Sequence, residues 1–287
     1  MSAKFGPAGN AESFPYKSSV DAPRWLREIG LDCYEYQCGK GVNVGEATAR
    51  KIGVAAVEQG ITLSLHAPYF INLANPDPES LQKTIGYITS ACLAADWMGA
   101  GRVIIHSGAL MKRTRREAQE IALRSIKEVV RACDEAGFGH ITLCPETMGK
   151  INQLGDLEEV LALSNVCEGL LPCVDFGHLY ARSLGLLEGQ EETAKMLDRM
   201  EEVLGTDRAR VFHSHFSMIK FTPKGGESKH LTFDQTDFGP DYRPLCRELA
   251  RRGWGPTIIC ESAGTQDVDA LVMKEEYLSH CQDSVGN

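Results

Sequence analysis

Six short apolar runs in this chain each carry a metal-seeking side chain at or just past their C-terminal end. They read ITLSLHA (His66), RVIIHSG (His106), ITLCPET (Glu146), LPCVDFGH (Asp175 and His178), RVFHSHF (His215) and TIICESAG (Glu261). Imidazoles and carboxylates without cysteine suit zinc, manganese or iron in a site with room for water. Two or more cations bridged by a carboxylate stabilise both the attacking and the leaving oxygen of a phosphoryl displacement. The same residues also allow a chemistry that needs one cation. Held by Glu146, Asp175, His215 and Glu261, it polarises a sugar carbonyl and hydroxyl while a carboxylate moves protons between adjacent carbons.

Taken singly, each residue has a plainer role. A histidine at the end of an apolar run is commonly a hydrogen-bonded core residue. A lone Glu146 or Glu261 reads as a cap or an ion-pair partner, and Asp175-x-x-His178 as an Asp–His hydrogen bond. Their conjunction points to metal binding. Of eight histidines, His66, His106, His178 and His215 fall at expected strand C-terminal ends. His140 begins a strand and belongs at the opposite face, and His280 lies on the last helix, in solvent. His213 and His215 share one strand face. His215, nearer the C-terminal end, is the favoured ligand and His213 the core residue.

These side chains meet only if their strands end at one mouth. Runs of this length and β-branched content, bounded by Gly, Pro and helical stretches, read as buried parallel strands. KFGPAGN and LDCYEYQC supply the first two strands, and the six ligand-bearing runs supply the rest. Amphipathic stretches alternate with them. VDAPRWLREIG has Asp21 at its N-cap and Pro23 in its first turn, and GEATARKIGVAAVEQG ends on Gly60. Eight strand–helix units make the expected fold α/β, a (β/α)8 TIM barrel with every strand end at the same face. No linker or low-complexity tract divides the chain, so residues 1–287 are expected to form a single domain. A doubly wound sheet would leave ligands on outer strands far from its crevice. The longest irregular stretch, Phe221 to Asp241, carries Lys224, Lys229 and His230.

A net charge of −9 argues against broad adhesion to nucleic acid or anionic membrane, though it leaves room for a local basic rim. No apolar run approaches the ~18 residues of a membrane span, and MSAKFGPAGNAESF lacks the pattern of a signal peptide. The ten cysteines stand singly, several inside apolar strands. They read as free thiols in a reducing, cytoplasmic setting. No obligate protein partner is evident.

The ligand segments resemble endonuclease IV, the metal-dependent apurinic/apyrimidinic endonuclease family within the xylose-isomerase-like barrels. HAPYFINLAN is similar to the segment in which a metal-binding His precedes a Tyr–Leu pair and Ile-Asn-Leu. IIHSG resembles its His-Pro-Gly, PETMGK its Glu-Asn-Thr, DFGH its Asp-x-x-His, HFSMIK its His-Leu-Asn-Asp-x-Lys and CESAG its final Glu-Thr-Pro. The matches run from roughly Leu63 to Gly264.

The resemblance implies two or three zinc ions, with manganese as a substitute. His66, His106 and Glu146 would hold the first; Glu146, Asp175, His215 and Glu261 the second; His178 and His230 the third. Glu146 and Glu261 would be catalytic. The implied reaction is hydrolysis of the phosphodiester 5′ to an abasic site in damaged duplex DNA, leaving a 3′-hydroxyl. The one-cation alternative, a sugar isomerase or epimerase of the same superfamily, would take a small sugar. Tyr69 and Phe70 would wedge into an opened duplex, and Asn72, Lys220 and Lys229 are further expected substrate contacts. The chain departs from the family in four places. The Asp expected two residues before the last His is Ser228, so either Glu227 reaches the third cation or that cation is weak or absent. FGPAGN replaces His-Val-Ser, and Ser217-Met218 replaces Asn-Asp. No Arg stands on the second loop, where Lys40 is merely near.

Overall fold

The computed structural model describes residues 2–283. In chain order its elements are β1 (Lys4–Pro7), α1 (Ala22–Ile29), β2 (Cys33–Gln37), α2 (Glu46–Gln59), β3 (Thr62–His66), α3 (Pro78–Met98), β4 (Arg102–His106), α4 (Arg115–Glu135), β5 (Thr142–Glu146) and α5 (Leu157–Ser164). The second half continues with β6 (Cys173–Asp175), α6 (Phe176–Arg182), α7 (Gln190–Leu204), α8 (Thr206–Ala209), β7 (His213–Phe216), β8 (Met218–Thr222), β9 (Gly226–Leu231), α9 (Arg243–Arg252), β10 (Thr257–Cys260) and α10 (Gln266–Asp283). Eight parallel strands hydrogen-bond in the order β1-β10-β7-β6-β5-β4-β3-β2. A parallel bridge, Ala8 to Glu35, closes the ring between β1 and β2. Asp32 N–H donates to Phe5 O at 2.9 Å and Gly9 N–H to Glu35 O at 2.9 Å across the same seam. The expected (β/α)8 barrel is therefore the observed fold.

Local chemistry sets the helix ends. Thr114 with Glu117, and Asp156 with Glu159, form reciprocal capping boxes at the starts of α4 and α5. Asp77 accepts from Ser80 N–H at the start of α3. Asp21 occupies the N-cap position of α1 without a side-chain hydrogen bond, and Pro23 lies in its first turn, as expected.

Side chains alternate across each strand. One face packs outward under the helices: Leu65, Val103, Ile105, Leu143, Val174 and Ile258 join Ile88, Ala91, Ile126, Val129, Leu197 and Leu249 in the main core. The inner face differs. Only a small apolar cluster of Ile104, Cys144, Leu171 and Cys173 forms there. Beside it lie fully buried polar groups, Glu35, Ser64 and His213. Branched apolar layers usually fill such a barrel, so this interior is unusually polar.

Two expectations need correction. The stretch from Phe221 to Asp241 is not irregular throughout: β8 and β9 pair as an antiparallel hairpin, Met218 opposite Leu231 and Lys220 opposite Lys229. His178 is not at a strand end. β6 stops at Asp175, and His178 lies in the first turn of α6 because the Asp175 carboxylate caps that helix. The ten cysteines are all free thiols, and no described helix is long and apolar enough to cross a membrane.

The seam depends on Gly6. A Cβ there would collide with the Cys33 carbonyl, so β1 and β2 approach only without a side chain. Gly6→Ala should cost about 1–3 kcal/mol through overpacking, read as a lower urea midpoint at unchanged slope. An unshifted midpoint would show that the seam tolerates a methyl group.

Candidate metal centre

The C-terminal ends of the strands open onto a cavity of about 420 Å³ whose lining includes His66, His106, Glu146, His178, His230 and Glu261. Asp175 and His215 lie fully buried in its floor. All eight side chains named from the sequence as ligands therefore converge. Glu146 is the hub. Its Oε2 lies 3.3 Å from His66 Nε2 and 3.5 Å from His106 Nε2; its Oε1 lies 3.1 Å from His215 Nδ1 and 3.5 Å from His178 Nδ1. Glu261 Oε1 stands 3.5 Å from His215 Nδ1. Three sets bring their donor atoms within 4.8 Å of one another at this mouth: His66, Glu146 and His215; Glu146, Asp175, His215 and Glu261; and His178, Glu227 and His230.

The local backbone aims these groups. Asp175 Oδ1 accepts from His178 N–H at 2.7 Å as the helix cap, which fixes the carboxylate and its neighbour together. Three imidazoles set Nδ1 near a carbonyl: His66 by Ala67 O at 2.8 Å, His178 by Thr147 O at 2.8 Å and His230 by Glu261 O at 3.2 Å, the last also 2.9 Å from Ser217 Oγ. The bonds of His66 and His178 assign the proton to Nδ1 and free the Nε2 lone pair for a cation. Glu227 comes in from the hairpin, its N–H donating to Gly149 O at 3.0 Å. Its carboxylate lies 3.5 Å from His178 Nε2 and 3.9 Å from His230 Nε2. Ser228, one residue on, is exposed. The acid of the third set is therefore Glu227. Gly149 permits this approach, since a Cβ there would sit 2.6 Å from Glu227 Cβ and 2.9 Å from His178 Cδ2.

The electrostatics fit a cation. Burial would raise Glu146, but His215 and His66 hold its carboxyl well below the usual range. Burial lifts Asp175 above its ordinary value despite His178, and Glu261 and Glu146 add to the rise. Burial pulls His178 down, but Asp175, Glu227, Glu146 and Glu261 outweigh it and push it up to about 9. Burial drives His106 down to about 3 against the pull of Glu146. Asp175 Oδ2 is buried without a hydrogen-bond partner and lies 3.3 Å from His178 Nδ1, an ion pair when that imidazole is protonated; such a carboxylate oxygen is costly unless positive charge meets it. The donor set and this buried oxygen, which accepts no hydrogen bond, together fit a divalent metal.

The expected substrate contacts separate. Tyr69 lines the cavity, its ring stacked on His106 at 5.3 Å between centroids and edge-on to His66 at 5.4 Å. Phe70 is half exposed and packs on Tyr87. Asn72 braces a turn, accepting from Ala74 and Ala109 N–H. Lys220 and Lys229 face each other across the hairpin on its exposed side and do not line the cavity. Lys150, not singled out from the sequence, does line it.

Glu35 also escaped the sequence reading. It is fully buried under the floor, its Oε2 2.9 Å from His213 Nε2 and its Oε1 2.9 Å from His215 Nε2. The available signal was a lone charge inside the aromatic strand CYEYQ. His213 thus pairs with Glu35, while His215 turns its Nδ1 to Glu146 and Glu261 at the mouth.

Comparison with known proteins places this geometry in context. Residues 23–277 match the family model described as a xylose isomerase-like TIM barrel. The chain is 31% identical over 249 residues to an uncharacterized protein of Methanocaldococcus jannaschii, covering 87% of this chain and 88% of the relative. It is 26% identical over 164 residues to a probable endonuclease 4 of Acholeplasma laidlawii, an alignment spanning 54% of each. A solved D-tagatose 3-epimerase-like protein shares the fold with a TM-score of 0.72 at 17% identity, over 98% of this chain and 99% of the other.

Metal ligation requires neutral imidazoles, and His178, His66 and His215 are all raised. Zinc uptake near pH 7 should therefore release protons. Raising the pH removes the competing proton, so affinity should climb as the pH rises towards about 9, the value to which His178 is pushed. Calorimetry in buffers of different ionisation enthalpy checks this; an enthalpy independent of buffer would contradict it.

Proposed function

From the fact that the chain belongs to the xylose isomerase-like TIM barrel family, we propose that it is a metal-dependent phosphodiesterase that cuts damaged duplex DNA 5′ to abasic sites, in the manner of endonuclease IV. One observation carries this reading. The site holds more ligands than one cation needs: beyond Glu146, Asp175, His215 and Glu261 there is a separate group of His178, Glu227 and His230, and two more imidazoles, His66 and His106, on the Glu146 hub. The partial likeness to a probable endonuclease 4 agrees with it. Zinc, or manganese in its place, is the proposed metal, and the whole chain is taken as one domain acting in the cytoplasm.

Divalent cations at these ligands would supply Lewis-acid stabilisation of charge on the phosphoryl oxygens. The chain's own residues do the rest. Glu146 holds two positions apart from one carboxylate. Glu261, the more accessible of the two proposed catalytic acids, takes the proton of the attacking water. Tyr69 offers a ring face at the rim for an unstacked base or sugar, and the Lys150 ammonium meets a phosphate at the same rim. Phe70, Lys220 and Lys229, outside the cavity, face flanking duplex rather than the reacting group.

A second reading keeps the four-ligand group alone: a one-cation epimerase or isomerase of a small sugar. The compactness of Glu146, Asp175, His215 and Glu261 favours it, as does the fold shared with the D-tagatose 3-epimerase-like protein.

A duplex carrying one abasic analogue should be nicked on its 5′ side, and the purified protein should hold two or three cations. His106→Ala should then cut activity at least as far as the roughly 10–100-fold typical of weakened metal support. One bound cation, an intact duplex and interconverted ketoses would sink the nuclease reading. Separately, Glu227→Ala and Gly149→Ala should each lose one cation of the complement, counted by elemental analysis, because the first removes the carboxylate beside His178 and the second crowds it out of that place.

A further inference from the structure

Three of the histidines at the mouth are oriented by carbonyls close by in the chain or in the neighbouring loop. His215 is not. It presents Nδ1, rather than Nε2, to Glu146 and Glu261, so its outer nitrogen points down into the barrel, where no backbone carbonyl bonds it. The only carboxylate the structure places against that nitrogen, among the described residues, is Glu35, at 2.9 Å. His215 is also the imidazole common to two of the ligand groups, the one with His66 and the one with Asp175 and Glu261.

Glu35 is itself held rigidly. Ser64 Oγ donates to its Oε2 at 2.9 Å, Gln37 Nε2 to its Oε1 at 3.1 Å, and His213 Nε2 lies 2.9 Å from Oε2. Both oxygens are engaged and the residue is wholly buried. Following the strand order β2-β1-β10-β7, Glu35 and the two histidines lie three strands apart. The contact runs through the barrel interior, not along a ladder. Branched apolar side chains would fill that space at lower cost. A buried ionic strut there calls for a purpose beyond filling.

We propose that Glu35 is a positioning residue of the metal centre: from beneath, it holds Nε2 of His215 so that Nδ1 is presented to the cation shared with Glu146, Asp175 and Glu261, while His213, Ser64 and Gln37 fix the carboxylate. The inference rests on the reading that those four ligands bind a cation. A carboxylate behind a ligating imidazole fixes the ring and raises its basicity, and removing such a partner typically weakens metal binding roughly 10–100-fold. The His215 Nε2 to Glu35 contact is short but lies off the line of a hydrogen bond. A small turn of the ring towards a cation at Nδ1 is the movement that the strut guides.

Glu35→Gln keeps the volume and removes the charge. With Zn²⁺ titrated against a chromophoric chelator, the variant should lose about 10–100-fold in affinity at one site, with affinity at the His178, Glu227 and His230 group unchanged. With Co²⁺ in place of zinc, its visible absorption should shift in position or intensity, a change that simple loosening of the fold would not produce. If Glu35→Gln fails to fold, Ser64→Ala and Gln37→Ala loosen the same carboxylate one donor at a time and should each lower that affinity several-fold. Wild-type affinity and an unchanged Co²⁺ spectrum in the folded variant, or in both single-donor variants, overturn the proposal. Wild-type protein that takes up no Zn²⁺ overturns the metal-centre reading and this inference with it. Wild-type uptake matched by the variants overturns this inference alone.

Discussion

Three carboxylates, those of Glu146, Asp175 and Glu261, share one small mouth with a common imidazole. Water is largely excluded from Glu146 and Asp175. Like charges brought this close in a dry place cannot all stay ionised unless positive charge stands among them. Much else in the molecule follows from that constraint. It explains why imidazoles ring the acids, why His178 and His215 are pushed up while Glu146 is held down, and why Asp175 rises and keeps an oxygen without a hydrogen-bond partner. Protons on His178 and His215, both raised, supply part of that positive charge.

The barrel is what makes the crowding possible. Parallel closure brings the ends of β3, β4, β5, β6, β7 and β10 to one rim, so residues far apart in sequence meet without any long loop having to fold over them. The cost appears one layer down. A set of acids needs oriented histidines, and His215, turned so that Nδ1 faces up, needs a polar partner below. Glu35, Ser64 and His213 therefore occupy space that apolar side chains would fill more cheaply. The stability lost inside the barrel is recovered outside it, where Leu65, Ile105, Val174 and Ile258 pack beneath the helices.

How much of this could be read from the chain depended on how local the signal was. His66, His106, Glu146 and Glu261 were legible because each ends an apolar run, and the end of a parallel strand has a fixed destination. His178 was legible as a member of the cluster but misplaced, because the capping carboxylate that turns β6 into α6 looks the same as a strand exit in DFGH. The hairpin β8–β9 was hidden because FTPKGGESKH has polar turn composition and no long apolar alternation. Lys220 and Lys229 were expected at the substrate, yet cross-strand pairing puts both on the outer face of that hairpin. Glu35 was the hardest to find. Its partners are 178 residues away in the case of His213, and a single charge within a five-residue strand gives no hint of what lies across the barrel.

The size and shape of the mouth bear on the choice between a polymer and a small sugar. A cavity of about 420 Å³ suffices for one sugar with its phosphate, which is also the part of an abasic strand that must reach the ligands. The rest of a duplex has to lie across the rim, so the rim has to present surface to it. Tyr69, Phe70, Met111 and Ile151 are all exposed on the loops that follow β3, β4 and β5, an apolar arc interleaved with Lys112, Arg113 and Lys150. Isolated exposed apolar side chains need no explanation, but aromatic and basic residues gathered on one side of the candidate metal centre are what the proposed stacking and phosphate contact require. A small ketose enclosed by the cavity would touch Tyr69 and Lys150 and leave the rest of the arc idle. The net charge of −9 works in the same direction for the proposed reading: it discourages a polyanion from settling broadly over the surface.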